Sequence, residues 1–285
     1  MSDHRLLGRT EIHRLLDEHG LSPAKSLGQH FVTDPNTVER IARLAGVAHG
    51  DNVVEIGPGL GSLTLALAAT GARVVAVEVD RGLACVLRTV VPPGVRVVEA
   101  DALHADWGTI LAGGGRWVLV ANLPYNIATT LVVDVLESVP PVERLVVMVQ
   151  REAAERFVAS PRTKAYGAVT VRIAYFATAR LAGQVSAGVF HPRPNVESSL
   201  VEIVRRDSPA VPPGLASYAE IGVLVRAGFA GRRKMLRRSL AGLVDPAAFE
   251  RAGVPASARA EELEVAEWGK LAACQRSIAN AHAPS

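Results

Sequence analysis

From Asn52 onward the chain repeats one pattern, and that pattern leaves few folds open. Short Val- and Leu-rich runs, "NVVEI", "RVVAVEV", "VRVVEA", "WVLVAN" and "RLVVMVQ", are separated by segments with helical character such as "RGLACVLRTV", "LVVDVLESV" and "REAAERFVAS". A strand that is apolar on both faces needs cover on both sides, and strands joined through helices run parallel. The expected fold class is therefore α/β, Rossmann-like, with a mostly parallel sheet between helices. With 285 residues, 49% hydrophobic and 21% charged, the chain has enough apolar surface for one large domain and a small one.

The pattern changes after Tyr175. "ARLAGQVSAGVF" and "SSLVEIVRR" lack an intervening helix and read as two strands, a hairpin closing the sheet edge. "DSPAVPPG" is a Pro-rich linker, and beyond it the sequence reads as helices broken by Gly and Pro. The expected organisation is an extension at 1–21, a main domain at 22–206, a linker at 207–214 and a small helical domain at 215–285. Within the extension, Thr10–His19 reads as an amphipathic helix burying Ile12, Leu15 and Leu16. Asp34 before Pro35 is an N-cap and first-turn pair, so a helix runs to about Leu44. No apolar run is long and uncharged enough to span a membrane, and no secretory leader is visible, so a cytoplasmic protein is expected. The two cysteines, Cys85 and Cys274, stand far apart with no zinc-ligand spacing, so no metal is expected.

The ends of the strands carry the chemistry. "VEIGPGLGSLT" has Gly57, Gly59 and Gly61 on a strand-to-helix turn. Glycines there let backbone approach a ligand and present free N–H groups at a helix start. A nicotinamide fingerprint wants a third glycine where Ser62 stands, which disfavours a dehydrogenase. Glu78 ends the second strand, where an acid accepts from both ribose hydroxyls. Asp101 ends the third, where it accepts from an adenine amino group. Glycine turn, Glu78 and Asp101 together describe an adenosine-shaped pocket without a phosphate-binding Lys or P-loop. That points to S-adenosylmethionine rather than ATP or NAD.

The fourth strand ends at Asn122-Leu123-Pro124-Tyr125. An adenine N6 amine is a poor nucleophile because its lone pair is delocalised into the ring. Two acceptors beside it, the Asn122 amide oxygen and the neighbouring main-chain carbonyl of Leu123, draw its hydrogens out of plane and localise the pair. Pro124 fixes the backbone, and Tyr125 offers a face for a flipped base. Methyl transfer to nitrogen is a direct displacement and needs no covalent nucleophile.

With these residues in view, the chain resembles the small-subunit rRNA adenine N6,N6-dimethyltransferases, the KsgA type. The resemblance runs from about Lys25 to about residue 275 through "KSLGQHFVTD", "VEIGPGLGSLT", "VEVD", "ADAL", "ANLPYNIATTL", "KAYGAVTV", "VFHPRPNVESSLV" and "FAGRRKMLRRSL". It implies a class I methyltransferase domain, S-adenosylmethionine as donor, and two adjacent adenines near the 3′ end of small-subunit rRNA, in an assembling subunit, as target. It implies that Gln29, His30 and Val32 fold over the methionine part of the cofactor, with His30 where the family usually has Asn. Gly57, Gly59, Glu78, Asp101 and Asn122 match the remaining cofactor contacts, Tyr125 the stacking ring and Phe190 a second aromatic near the target base. An Erm-type methyltransferase of large-subunit rRNA is the runner-up, and a binding factor with dispensable catalysis comes third.

Net charge is only +3, so clustering decides whether nucleic acid is a partner. Arg232, Arg233, Lys234, Arg237 and Arg238 fall within one short segment. Helical spacing puts Arg233 with Arg237 and Lys234 with Arg238, and turns Met235, Leu236 and Leu240 inward. Beside a base-methylating pocket, such a segment is expected to contact RNA phosphates, in a protein acting as a monomer.

Overall fold

A computed structural model describes residues 6–24, 27–124 and 126–281. The described residues form nine strands: β1 (Phe31–Val32), β2 (Asn52–Ile56), β3 (Arg73–Glu78), β4 (Arg96–Glu99), β5 (Trp117–Asn122), β6 (Val142–Gln150), β7 (Ala177–Val185), β8 (Phe190–His191) and β9 (Ser198–Arg205). Seven form one sheet in the order β4-β3-β2-β5-β6-β9-β7. Its first five strands are parallel, as the helix-separated apolar runs require. β9 then enters antiparallel to β6, with Leu145 opposite Ile203 and Gln150 opposite Ser198.

The last two strands of the sheet are neighbours, and the later one lies inside the earlier one. The side chains explain this order. β9 is buried over Ser198–Glu202, whereas β7 exposes Thr178 and Arg180. The more apolar strand takes the covered place, and the polar one tolerates the edge. Phe190 leaves this sheet altogether. It pairs with Val32 in a small ribbon of β1 and β8.

The helices supply the cover. They are α1 (Arg9–Glu18), α2 (Pro35–Ala45), α3 (Ser62–Ala69), α4 (Arg81–Val90), α5 (Trp107–Ile110), α6 (Ala128–Ser138), α7 (Arg151–Phe157), α8 (Ala168–Phe176), α9 (Tyr218–Ala230), α10 (Leu236–Ser239), α11 (Pro246–Ala252) and α12 (Val265–Ala281). α2 starts where Asp34 accepts from Thr37 N, with Pro35 in its first turn, and stops at left-handed Gly46. α1 buries Ile12, Leu15 and Leu16 against Phe31, Leu60, Leu65 and Leu83. The N-terminal extension is thereby packed onto the segment that carries Phe31.

The chain divides into two compact units, Met1–Ala154 with Arg180–Arg205, and Glu155–Ala179 with Arg206–Ser285. The Pro-rich segment at 207–214 marks only one of the crossings. Residues of the earlier piece belong to the core of the second unit. Tyr166 donates its hydroxyl to Leu263 O at 2.7 Å, and the Tyr175, Phe176 and Tyr218 rings contact one another. Around them pack Ile221, Leu224, Leu236, Leu240 and fully buried Trp268.

The basic segment corrects a helical expectation. α9 ends at Ala230, the chain turns through Gly231–Lys234, and only Leu236–Ser239 is helical again. Met235 forms an isolated β-bridge with Arg259, while Leu236 N and Arg237 N donate to Ala258 O and Ala256 O. Two backbone partners outside the segment thus take N–H groups that a continuous helix would have used internally. Leu236 and Leu240 are fully buried as expected, but Met235 faces solvent at 39% exposure.

Candidate active site

The first turn of the site is built from β2, the glycine loop and α3. Gly57 and Gly59 adopt left-handed φ values of +68° and +59°. At Gly59 a Cβ would meet the Phe31 ring at 2.9 Å, so the backbone lies flat under that ring because no side chain intervenes. Gly59 N also donates to Glu78 Oε2 at 2.9 Å, and Asp80 N donates to Oε1 at 3.0 Å. Glu78 is buried. Burial pushes its carboxyl above the usual range, the two backbone N–H groups pull it back, and the Asp80 charge adds to the rise. Each oxygen keeps a lone pair for a ligand hydroxyl.

Asp101 sits at the end of β4 and is more exposed. Its Oδ1 accepts from Leu103 N and its Oδ2 lies 2.8 Å from His104 Nδ1. Both contacts hold its carboxyl below the usual range, the Leu103 N–H foremost. Near neutral pH it is therefore an ionised acceptor.

Asn122 closes β5. Its Nδ2 donates to His30 O at 2.9 Å. A main-chain carbonyl only accepts, so this bond decides which end of the amide is which. The Nδ2 end faces His30, and Oδ1 is left as the acceptor for a substrate amine. His30 itself is pinned by its side chain. Nδ1 lies 2.7 Å from Pro192 O, and again the carbonyl can only accept, so Nδ1 carries the hydrogen. His30 thus bridges the strand-end amide and the Pro192 segment, with its main chain doing one task and its ring the other.

These residues line one cleft of roughly 770 Å³, counting its solvent-open mouth. Gln29, His30, Gly57, Gly59, Glu78, Asp101, Asn122, Leu123 and Phe190 all contribute to its wall. Val32 does not. It is buried beside β8 and borders a smaller adjoining pocket with Glu55. Gln29 reaches the cleft, but its amide is engaged by Ala24 N at 2.8 Å and Asp80 Oδ2 at 3.2 Å. Phe190 is only 2% exposed, packed with Val32, Val38, Met148 and Leu200. It is a wall of the cleft rather than an open stacking face. Tyr125 lies outside the described residues.

Val79 and Ala102 are among the lining residues that escaped the sequence reading. Val79 is 51% exposed immediately after Glu78, and Ala102 follows Asp101; both line the cleft. An apolar residue next to each strand-end acid is the signal that could have found them, since a flat ring needs apolar contact as well as acceptors. Glu55 is another surprise. It is fully buried, its Oε2 has no hydrogen-bond partner among the described residues, and burial, reinforced by Glu78, pushes its carboxyl up to about 8.

The donor set suits an adenosyl ligand: acceptors for ribose hydroxyls at Glu78, an acceptor for an amino group at Asp101, apolar flanks, and a glycine-lined approach. The sequence profile described as "Ribosomal RNA adenine dimethylase" matches residues 21–275. The chain belongs to this family.

Similar rRNA methyltransferases cover nearly the whole chain. One from Streptomyces coelicolor, named "Ribosomal RNA small subunit methyltransferase A", is 43% identical, covering 94% of this chain and 96% of the relative. Its namesake from Thermobifida fusca is 44% identical, covering 95% and 96%. Among solved structures, a dimethyladenosine transferase from Plasmodium falciparum shares the fold at TM-score 0.71 and 22% identity, covering 84% of this chain and 94% of that one. The 23S rRNA methyltransferase ErmE aligns at TM-score 0.65 and 28% identity, covering 86% and 99%. As a member of the adenine dimethylase family, this chain is an S-adenosylmethionine-dependent methyltransferase. No helix among the described residues is long and apolar enough to cross a membrane.

Proposed function

We propose that the chain dimethylates N6 of two adjacent adenines near the 3′ end of small-subunit rRNA, acting as a monomer in the cytoplasm during subunit assembly. The observation that carries the reading is the fixed amide of Asn122. Its nitrogen is held by His30 O, so its oxygen is preset as an acceptor at the end of a cleft whose other acceptors suit adenosine. S-adenosylmethionine, when bound, supplies an electrophilic methyl group. In the first transfer Asn122 Oδ1 and the Leu123 carbonyl accept the two hydrogens of the target amine and turn its lone pair out of the ring plane; in the second, one acceptor holds the single remaining N–H. An acceptor that needs no reorganisation at the moment of reaction stabilises the developing positive charge on nitrogen. The product ammonium loses its proton to solvent, so no general base is required.

The roles of Tyr125 and Phe190 at the target base, and of Gln29, His30 and Val32 along the methionine arm, belong to this proposal. So does phosphate contact by the basic segment, within a second domain taken as 215–285. There Arg233, Lys234, Arg237 and Arg238 are exposed. Arg232 is partly engaged inside its own unit, through Glu261 at 2.7 Å and Lys164 O at 2.7 Å.

The test is to map methylated adenines in rRNA from cells with and without this protein, and to offer labelled cofactor with purified small and large subunits. Label in small-subunit rRNA at adjacent adenines is expected. The likeness to ErmE favours a second reading, methylation of large-subunit rRNA, and label confined to that RNA would establish it instead.

A further inference from the structure

A second cleft adjoins the first and differs from it in charge. The two share Gly28, Gln29 and His30 in their walls. The adenosyl cleft carries two acids, Glu78 and Asp101. The adjoining cleft is lined by no carboxylate among the described residues. Its polar groups are the amides of Gln29, Asn126, Gln150 and Asn195, the imidazole of His30 and one guanidinium, Arg193. Arg193 is exposed and makes no hydrogen bond or ion pair among the described residues.

An exposed Arg alone means little, because most such residues are simply solvated. This one stands on an anchored loop. Its loop is the segment between β8 and β9, with Pro192 before it and Pro194 after it. At one end Phe190 and His191 pair with Val32 and Phe31. At the other, Arg151 N donates to Glu197 O at 3.1 Å, and Ser198 is in register with Gln150. In the middle, Pro192 O takes the His30 ring hydrogen. His30 O in turn holds Asn122. Two hydrogen bonds therefore link the Arg193 loop to the amide that faces the reacting amine.

We infer that Arg193 is the phosphate-binding residue of the target nucleotide's entry cleft. The inference rests on the rRNA reading above. A base extruded toward Asn122 leaves its sugar and the flanking phosphates on the rim, where Arg193 is the one cation, and no acid stands, among the described residues lining this cleft; Arg151, Glu152 and Glu197 line the pocket next to it. Guanidinium binds phosphate oxygens in a planar, two-pronged geometry, and phosphate contacts fix register rather than sequence. Arg193 is thus a positioning residue: it sets where the nucleotide enters and leaves the methyl transfer itself to Asn122.

The experiment compares wild type with Arg193→Gln, Arg193→Glu and Arg193→Lys on undermethylated small subunits, across a series of KCl concentrations. Arg193→Gln is expected to raise KM for the subunits about 5- to 10-fold, leave kcat within twofold, and leave the affinity for S-adenosylmethionine unchanged. The plot of log(kcat/KM) against log[KCl] should flatten by about 0.7–0.9, the effect of one lost phosphate contact. Arg193→Glu should be worse, and Arg193→Lys should recover the salt slope. The same change of slope should appear in binding to a 3′-terminal rRNA hairpin. An unchanged KM and slope, a parallel loss of cofactor affinity, or a defect confined to assembled subunits and absent from the hairpin would each overturn the assignment, the last in favour of a ribosomal protein. If wild type itself fails to label small subunits, the rRNA reading fails instead.

Discussion

Replacing Asn122 with Ala separates the catalytic reading of the β5 terminus from a structural one. The side chain is half-buried and makes one hydrogen bond among the described residues, to His30 O at 2.9 Å. Losing a neutral bond of that kind costs about 1 kcal/mol of stability, which for a chain of this size lowers the melting temperature by roughly 2–4 °C. The catalytic cost is larger. Removing one preset polar partner from a reacting centre costs about 2.7–4 kcal/mol, or 10²- to 10³-fold in kcat. The assay is incorporation of labelled methyl groups into undermethylated small subunits at saturating cofactor, with melting curves recorded alongside. Asn122→Asp sharpens the comparison. It keeps an acceptor oxygen but presents no hydrogen to His30 O, so intermediate activity is expected. If the Ala variant keeps kcat within about fivefold of wild type while melting normally, Asn122 is a structural residue and the acceptor argument is wrong.

Gly59→Ala should weaken S-adenosylmethionine binding at least tenfold in calorimetry, because the new Cβ meets the Phe31 ring at 2.9 Å and a left-handed φ costs alanine about 1–2 kcal/mol. Glu55 makes the ligand-free protein pH-sensitive. Its carboxyl titrates at about 8 when folded and near 4.5 when unfolded, so folding takes up a proton between those values. Its contribution is fully present below about 4.5 and is lost as pH rises through about 8. The melting temperature should therefore fall across that window, and Glu55→Gln should flatten the fall; identical curves for the two proteins would refute the assignment. Arg232→Ala should lower the melting temperature because it breaks contacts to Glu261 and Lys164 O, whereas Arg233→Gln should leave it unchanged and flatten the salt dependence of RNA binding.

Glu78, Asp101, Asn122 and the glycine turn were legible because each ends or follows a strand whose apolar run is a local signal. In a parallel sheet all such ends lie along one edge, so reading the strands locates the site. The seating of β9 inside β7 is not a local property; it depends on which strand the neighbouring helices can cover. The break after Ala230 was missed for a related reason. The spacing of Arg233 and Arg237 fits a helix, but Ala256 and Ala258 offer carbonyls from a distant loop, and tertiary hydrogen bonds overrode propensity. Gln29 shows the same limit at the site. Its position beside the cleft was predictable, while the engagement of its amide by Ala24 and Asp80 was not.

The division of the chain into interleaved units also has a consequence in time. Glu155–Ala179 belongs with a unit whose remainder begins only at Arg206. On the ribosome, Tyr166, Val171 and Tyr175 are synthesised well before Leu224, Leu263 and Trp268, the residues that will cover them. At about 5–20 residues per second, roughly 4–18 s pass between the end of the first piece at Ala179 and Trp268, the buried tryptophan of this core. Through that interval an apolar helix waits for its full set of partners while the sheet that flanks it in sequence can already assemble. The order of synthesis thus separates the two halves of this core in time.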